Sequence, residues 1–296
     1  MDKRQKLTGV FAPVTTPFVK DEIAFERLAE NIAKLNASPL QGYFALGSNG
    51  ESKALNFEES KEVLKTIVSA AQNKVVMAGA GAESTKETIR RTEQVAELGA
   101  HFASVLTPHY FKKQMTDAVL IRYYQEVADA SPIPVLLYNA PGFTAITISP
   151  KVVAEIAAHP NIAGMKDTSS GNKDTYLDSA RGKEFVILAG SANDFFPSLI
   201  LGAIGGVLSL ANAFPEICCE LYQLTHQARI EPARSLHQKI VQANQAVSGS
   251  FGVAGVKAAM DLAGYFGGEP RRPLLSLTAE QTETLKKNLQ TIGVLS

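Results

Sequence analysis

At 296 residues, with 45% hydrophobic and 20% charged content, the chain has the length for one large core and the composition of an ordinary soluble globular protein. Its 29 basic and 29 acidic residues cancel to a formal net charge of +0, leaving no basic field for nucleic acid and no polybasic patch for a membrane surface, so a small-molecule partner is favoured. The two cysteines, Cys218 and Cys219, are adjacent within a predicted helix, where they form neither a structural disulfide nor a CxxC redox pair.

Strand-like and helix-like segments alternate along most of the chain. Val10–Val14 precedes a helical pattern over Phe25–Leu35, with Leu28, Ile32 and Leu35 at helical spacing. Gly42–Leu46 precedes a helix that Asn56 can cap, with Glu59 completing a capping box. Val75–Ala78 is followed by a helix that opens on Ser84 and Glu87, a second candidate box, and closes at Gly99. Phe102–Leu106 leads to a helix over Thr116–Ala130. Pro134–Tyr138 leads to one capped by Ser149 with Pro150 at its first position.

The sixth strand is the apolar run from Ile162 that ends on Lys166, and the segment Lys173–Ser179 is its helix. Phe185–Ala189 and Phe195–Leu201 form the seventh unit, Gly206–Leu210 and Glu216–Ala228 the eighth. Eight such units at intervals of roughly 28 residues predict a parallel (β/α)8 TIM barrel, an α/β fold, over residues 1–230. Helical stretches at Pro232–Val247, Val256–Leu262 and Ala279–Leu289 predict a C-terminal helical extension, residues 231–296, packed on the barrel as part of a single structural unit. No apolar signal core follows the charged N-terminus and no later run is long enough to span a bilayer, so the expected location is the cytoplasm.

Barrel enzymes carry their chemistry on the loops that follow the strands, so the residues there are the candidates. Lys166 ends a strand that reads as buried on both faces. It is either a lysine reaching into solvent or an amine held at the rim of the core, desolvated and therefore partly neutral and nucleophilic. Gly47-Ser-Asn-Gly-Glu51 follows strand two. It is either a plain glycine-rich turn or a cradle of amides and of Ser48 and Asn49 side chains for a carboxylate. Tyr138 ends the strand next to that of Lys166, and Tyr110 follows strand four in Thr107-Pro-His-Tyr. A phenol can carry protons for a neighbouring amine, but each tyrosine also suits an amphipathic core position. The five histidines show no paired ligand spacing, and neither a metal motif nor a GxxxxGK[ST] phosphate loop is present.

Taken together, Gly47–Glu51, Thr107–Tyr110, Tyr138-Asn-Ala-Pro141, Gly164-Met-Lys-Asp167, Gly190-Ser191 and Gly205–Asn212 make the chain resemble, over essentially its whole length, the class I pyruvate-dependent aldolases that include dihydrodipicolinate synthase and N-acetylneuraminate lyase. The resemblance implies that Lys166 condenses with the ketone of pyruvate and that Tyr138 shuttles protons. Ser48 would link Tyr138 to Tyr110, which in the family crosses a subunit interface. Ser48 and Asn49 would hold the pyruvate carboxylate, with Thr168, Gly190, Phe143 and the carbonyl of Leu208 completing the substrate site. It further implies a covalent imine with no metal or other cofactor, and a homo-oligomer, a tetramer built as a dimer of dimers.

Dihydrodipicolinate synthases usually carry an arginine two residues after the proline of the Tyr-Asn-x-Pro motif, where this chain has Phe143. Loss of that carboxylate clamp argues against their aldehyde substrate. The Gly47–Glu51 turn, Lys166-Asp-Thr168 and Phe251–Lys257 are more similar to 4-hydroxy-2-oxoglutarate aldolases, which yield pyruvate and glyoxylate, although Phe143 departs from that subgroup as well and leaves the second substrate open. The alternatives are 4-hydroxy-tetrahydrodipicolinate synthase and lyases of the 2-keto-3-deoxy sugar acid or sialic acid type. Two further classes are a metal-dependent aldolase, for which no His/Asp/Glu cluster can be assembled, and a barrel that only senses a ketoacid.

Overall fold

The computed structural model describes residues 3–169 and 171–295. Eight parallel strands close into a barrel, each paired with its neighbours in sequence and the last with the first. They are β1 (Gly9–Pro13), β2 (Gly42–Ala45), β3 (Val75–Gly79), β4 (Phe102–Leu106), β5 (Val135–Asn139), β6 (Ile162–Asp167), β7 (Val186–Ala189) and β8 (Gly205–Val207). Helices α1 (Phe25–Asn36), α2 (Phe57–Ala70), α3 (Thr85–Glu97), α4 (Asp117–Ala130), α5 (Pro150–Ile156), α6 (Lys173–Ser179), α7 (Phe195–Leu201) and α8 (Pro215–His226) follow the strands in turn. This is the (β/α)8 arrangement that the alternation predicts.

Period-two side-chain direction builds the interior. Val75 and Met77, Leu136 and Tyr138, and Val186 and Leu188 point inward and pack with Phe11, Phe44 and Phe102. Leu7, from the short helix Lys3–Leu7 before β1, joins this cluster and closes the N-terminal end of the barrel. The intervening residues Val135, Leu137 and Ile187 pack outward under α4, α5 and α6.

Most local signals are realised. Asn56 and Glu59 form a reciprocal capping box at α2, and Ser149 accepts from the Val152 amide beside Pro150 at α5. The box expected at α3 is only half formed. Ser84 accepts from the Glu87 amide, but the Glu87 carboxylate turns to Arg90 and Arg91 instead. Charge-assisted bonds to two guanidiniums outcompete one backbone amide.

Several strand ends differ from the sequence reading, and two of these differences bear on the site. β8 stops at Val207, because Ser209–Asn212 winds into a 3₁₀ turn whose Asn212 side chain donates to the Pro13 carbonyl at 2.9 Å. β6 continues one residue past Lys166, to Asp167. Beyond α8, the chain forms α9 (Ile230–Asn244), a π-helical turn at Gln245–Gly249, α10 (Ser250–Leu262) and α11 (Ala279–Ile292). The predicted break before Val256 falls at Gly252, whose φ of 57° and ψ of −141° kink the chain just after the π turn. Ala233, Ile240, Val256, Met260, Leu285 and Leu289 of these helices share one buried cluster with Val10, Ala12 and Leu210 of the barrel.

Candidate active site

Lys166 and Tyr138 are register partners on β6 and β5. Strict alternation along β6 would not put that lysine inside. Ile162 and Met165 both pack outward against the helices, yet in an unbroken strand two residues three apart lie on opposite faces. The register with β5 shifts here, from Val135 opposite Ile162 to Leu136 opposite Gly164, so one extra residue is accommodated. This bulge reverses the parity, and Lys166 turns inward beside Tyr138. Gly164 permits it by close approach: a Cβ there would sit 2.2 Å from the Val186 carbonyl oxygen.

The Lys166 amine lies 4.1 Å from the ring centroid of Tyr138 and 4.5 Å from that of Phe44, and the two rings meet edge to face. Lys166 is 6% exposed, deeper than the rim position expected of a strand's last residue. Burial against two rings pushes its pKa below the ordinary lysine value, and the Tyr138 hydroxyl partly opposes that shift. The Tyr138 hydroxyl is 3.4 Å from Ser48 Oγ, either atom being able to donate. Phenol and serine hydroxyl are thus within hydrogen-bond reach of each other, with the amine over the face of the phenol ring.

The residue after each partner fixes it. Asn139 Nδ2 donates to Asp167 Oδ1 at 2.7 Å, and Ser169 donates to the same oxygen through its amide and hydroxyl. Asp167 Oδ2 lies 3.3 Å from the buried Lys173 amine, which also pairs with Asp194. These contacts explain how β6 can end in a fully buried carboxylate.

The Gly47–Glu51 turn follows β2. Asn49 Nδ2 donates to Ser209 Oγ at 2.7 Å and Thr16 Oγ1 to the Gly50 carbonyl at 2.8 Å, so the turn is anchored to the loops after β8 and β1. Thr168 donates its amide and hydroxyl to the Asn139 carbonyl, at 2.9 and 3.0 Å. Gly190 seats Thr168, since a Cβ there would fall 2.3 Å from the threonine methyl carbon. The Leu208 carbonyl accepts from the Ala211 amide at 3.0 Å, which leaves its second lone pair. Phe143 sits on the helical turn Pro141–Thr144 and is 68% exposed.

A cleft of about 810 Å³ opens at this end of the barrel, and Phe44, Ser48, Tyr138 and Phe143 are among the residues lining it. Arg90 and Arg91 line its outer part, but both are paired with Glu87, whose pKa they pull down to about 2. Tyr110 is not brought to Tyr138 within the chain. Its ring is 78% exposed and packs edge to face on Phe111, while Glu83 accepts from its amide. Among the described residues, no group of three His, Cys, Asp or Glu side chains is placed to hold a metal ion, and no helix is long and apolar enough to cross a membrane.

Sequence reasoning did not single out Phe44, Asp167, Lys173 or Ser209. The doublets Tyr138-Asn139 and Lys166-Asp167 carried a signal for the first pair of anchors, as polar residues directly after two strand-end candidates.

Residues 6–292 match the sequence profile of the Dihydrodipicolinate synthetase family. A 4-hydroxy-tetrahydrodipicolinate synthase from Methanospirillum hungatei is 34% identical over 287 residues, covering 95% of this chain and 98% of its own. A protein of Emericella nidulans named "Probable 4-hydroxy-2-oxoglutarate aldolase, mitochondrial" is 32% identical over 296 residues, covering 97% of this chain and 95% of its own. Among solved structures, a prophage protein of the dihydrodipicolinic acid synthase family from E. coli K12, in complex with pyruvate, superposes with a TM-score of 0.90 at 29% identity, covering 97% of this chain and 99% of that one. A profile match across nearly the whole chain, near-complete relatives above 30% identity and a barrel of the same topology agree: the chain belongs to the dihydrodipicolinate synthetase family and is an enzyme of the class I, pyruvate-dependent aldolase group.

Proposed function

We propose that Lys166 forms an imine with the keto group of a 2-oxo acid and that the enzyme cleaves 4-hydroxy-2-oxoglutarate to pyruvate and glyoxylate. The observation that carries the reading is the buried Lys166 amine between the rings of Tyr138 and Phe44, with Ser48 in reach of the phenol. A neutral amine attacks the ketone, and loss of water from the carbinolamine requires a proton at the departing oxygen. Tyr138 supplies that proton and recovers it through Ser48.

In the imine, the protonated nitrogen is an electron sink. The C3–C4 bond breaks with its electron pair passing to C3 as an enamine, while the C4 hydroxyl gives up its proton to become the aldehyde. Tyr138 is again the group in reach to take it. Protonation of C3 and hydrolysis release pyruvate and free Lys166. The reverse sequence is the condensation.

Phe143 bears on the choice of aldehyde through reach. Glyoxylate carries its carboxylate on the aldehyde carbon itself, whereas aspartate semialdehyde holds its carboxylate three bonds from that carbon, toward a mouth where Phe143 is an exposed neutral aromatic and Arg90 and Arg91 are both paired with Glu87. A second reading, 4-hydroxy-tetrahydrodipicolinate synthase, is favoured by the name of the 34% identical relative. Borohydride reduction with pyruvate, followed by peptide mass analysis, tests the imine. Product analysis with 4-hydroxy-2-oxoglutarate, against condensation with aspartate semialdehyde, tests the substrate. No adduct on Lys166 overturns the first claim, and turnover with aspartate semialdehyde alone overturns the second.

A further inference from the structure

Lys257 lies on α10, in the C-terminal extension, and is 1% exposed. Its amine is 2.6 Å from Glu51 Oε1, and it donates to the carbonyls of Thr16 and Glu269, each at 2.7 Å. Glu51 ends the Gly47–Glu51 turn and is itself buried. Its other oxygen accepts from the Arg271 amide at 2.8 Å. One amine thus ties together the loop after β1, the turn after β2 and the segment after α10.

Two features point beyond ordinary packing. A buried ion pair is a weak stabiliser compared with an apolar pair of the same volume, because both charges must leave water. In addition, Glu51 is held in the left-handed region, at φ 52° and ψ 35°, a conformation that persists in a non-glycine residue only where the surroundings enforce it. With Thr16 on the Gly50 carbonyl and Ser209 on the Asn49 side chain, the turn is clamped along its length. No contact of Lys257 reaches Tyr138 or Lys166, so its influence passes through the turn.

We propose that Lys257 is a positioning residue for the 2-oxo acid's carboxylate: by holding Glu51, it fixes the Gly47–Glu51 turn in the shape whose amides and Ser48 hydroxyl receive that group. The inference rests on the imine reading above, in which the turn binds the carboxylate of the molecule condensed with Lys166. It assigns the C-terminal extension a part in substrate affinity and none in the chemical steps.

The test is the pyruvate dependence of borohydride trapping at Lys166, measured beside steady-state kinetics and melting temperature. Lys257→Met leaves Glu51 buried without its partner and can fail to fold. The double variant Glu51→Gln, Lys257→Met removes both charges at nearly constant volume, and the glutamine still accepts from Arg271. In it, the half-saturating pyruvate concentration and KM rise roughly ten- to a hundredfold, as for a binding group displaced by a fraction of an ångström to an ångström. The trapped fraction at saturating pyruvate stays complete and kcat changes far less than KM. A lower melting temperature with unchanged half-saturation makes Lys257 purely structural and overturns the proposal. Equal losses in kcat and kcat/KM with unchanged KM overturn it too. If the wild-type enzyme traps no pyruvate on Lys166, the imine reading itself fails, an outcome distinct from the other two.

Discussion

Asn139 and Asp167, joined by a 2.7 Å hydrogen bond, are each the residue that follows a reacting candidate, so the bond ties the ends of β5 and β6 just beyond Tyr138 and Lys166. The two side chains in front of it inherit that registration. Their spacing is a property of the sheet more than of either rotamer.

Incubation with pyruvate and borohydride is expected to add one stable pyruvyl group, on Lys166. Lys166→Ala is expected to remain folded, by circular dichroism and melting, with turnover reduced by about 10³-fold or more, since among the described residues no other amine stands between two rings at the strand ends. A labelled lysine elsewhere, or a variant that retains turnover, contradicts the assignment.

The rate of imine formation is expected to rise with pH and level off below 10.5, because burial favours the neutral form of Lys166 and lowers its pKa. The Tyr138 hydroxyl acts in the opposite sense on that amine. Tyr138→Phe should therefore move the inflection to still lower pH while slowing the step it no longer assists with a proton. The stability effect has its own sign. Between the lowered folded-state value and 10.5 the unfolded chain binds the extra proton, so this group makes stability rise with pH through that window. A single-turnover trapping series across pH measures both inflections, and a wild-type inflection at the ordinary lysine value would contradict the burial argument.

Gly164→Ala is expected to cost activity out of proportion to its single added carbon. The new Cβ would meet the Val186 carbonyl oxygen at 2.2 Å, so β6 must shift against β7 or lose the bulge that turns Lys166 inward. A destabilisation of about 3 kcal/mol or more, read by denaturant melts, should accompany loss of pyruvate trapping. Full trapping in a stably folded variant would show that the bulge does not set the lysine's direction.

Tyr110 is expected to act across a subunit boundary. Its ring is exposed and away from Tyr138 in its own chain, as a residue supplied to a neighbour's site would be. Tyr110→Phe should lower turnover while leaving pyruvate adduct formation partly intact. Mixing it with Lys166→Ala should restore activity, because one of the mixed sites then holds both groups. A fully active monomer in sedimentation would sink this expectation.

The alternation of apolar runs with capped helical segments was enough to read the barrel, whereas an apolar run ending on a lysine made Lys166 only a candidate, which the motif resemblance then favoured. What stayed hidden depends on partners far apart in the chain. Asp167 looks like the first residue of a loop, and its burial depends on the distant Asn139 and Lys173 as well as on the neighbouring Ser169. Leu208 to Leu210 looks like strand, and only the reach of Asn212 to Pro13 bends it into a 3₁₀ turn. The inward turn of Lys166 depends on a one-residue register shift, which a period-two pattern cannot contain. Lys257 left a trace, as a lone charge in the apolar stretch Phe251–Lys257, but its partner Glu51 is joined to it only by the fold.

Choice of the second substrate is expected to turn on Phe143. In the proposed reading Lys166, Tyr138 and the Gly47–Glu51 turn engage the 2-oxo acid, and Phe143 is a large side chain on the strand-five loop that lines the cleft. An arginine there could pair with a carboxylate three bonds beyond the aldehyde carbon, as in aspartate semialdehyde, more readily than with the glyoxylate carboxylate on the aldehyde carbon itself, and a charge-assisted hydrogen bond contributes about 1.5–3 kcal/mol, or roughly ten- to a hundredfold in selectivity. Phe143→Arg should therefore raise kcat/KM for aspartate semialdehyde relative to glyoxylate by that order. The ratio of the two aldehydes in wild type and variant cancels general damage to the site. The added guanidinium also has a competitor to avoid: Glu83 lines the same cleft and is already paired with His109, so an ion pair between Glu83 and the new guanidinium would blunt the gain. Adding Glu83→Gln to the variant should then recover it. A wild-type enzyme that already prefers aspartate semialdehyde would place the carboxylate grip elsewhere and would favour the synthase reading.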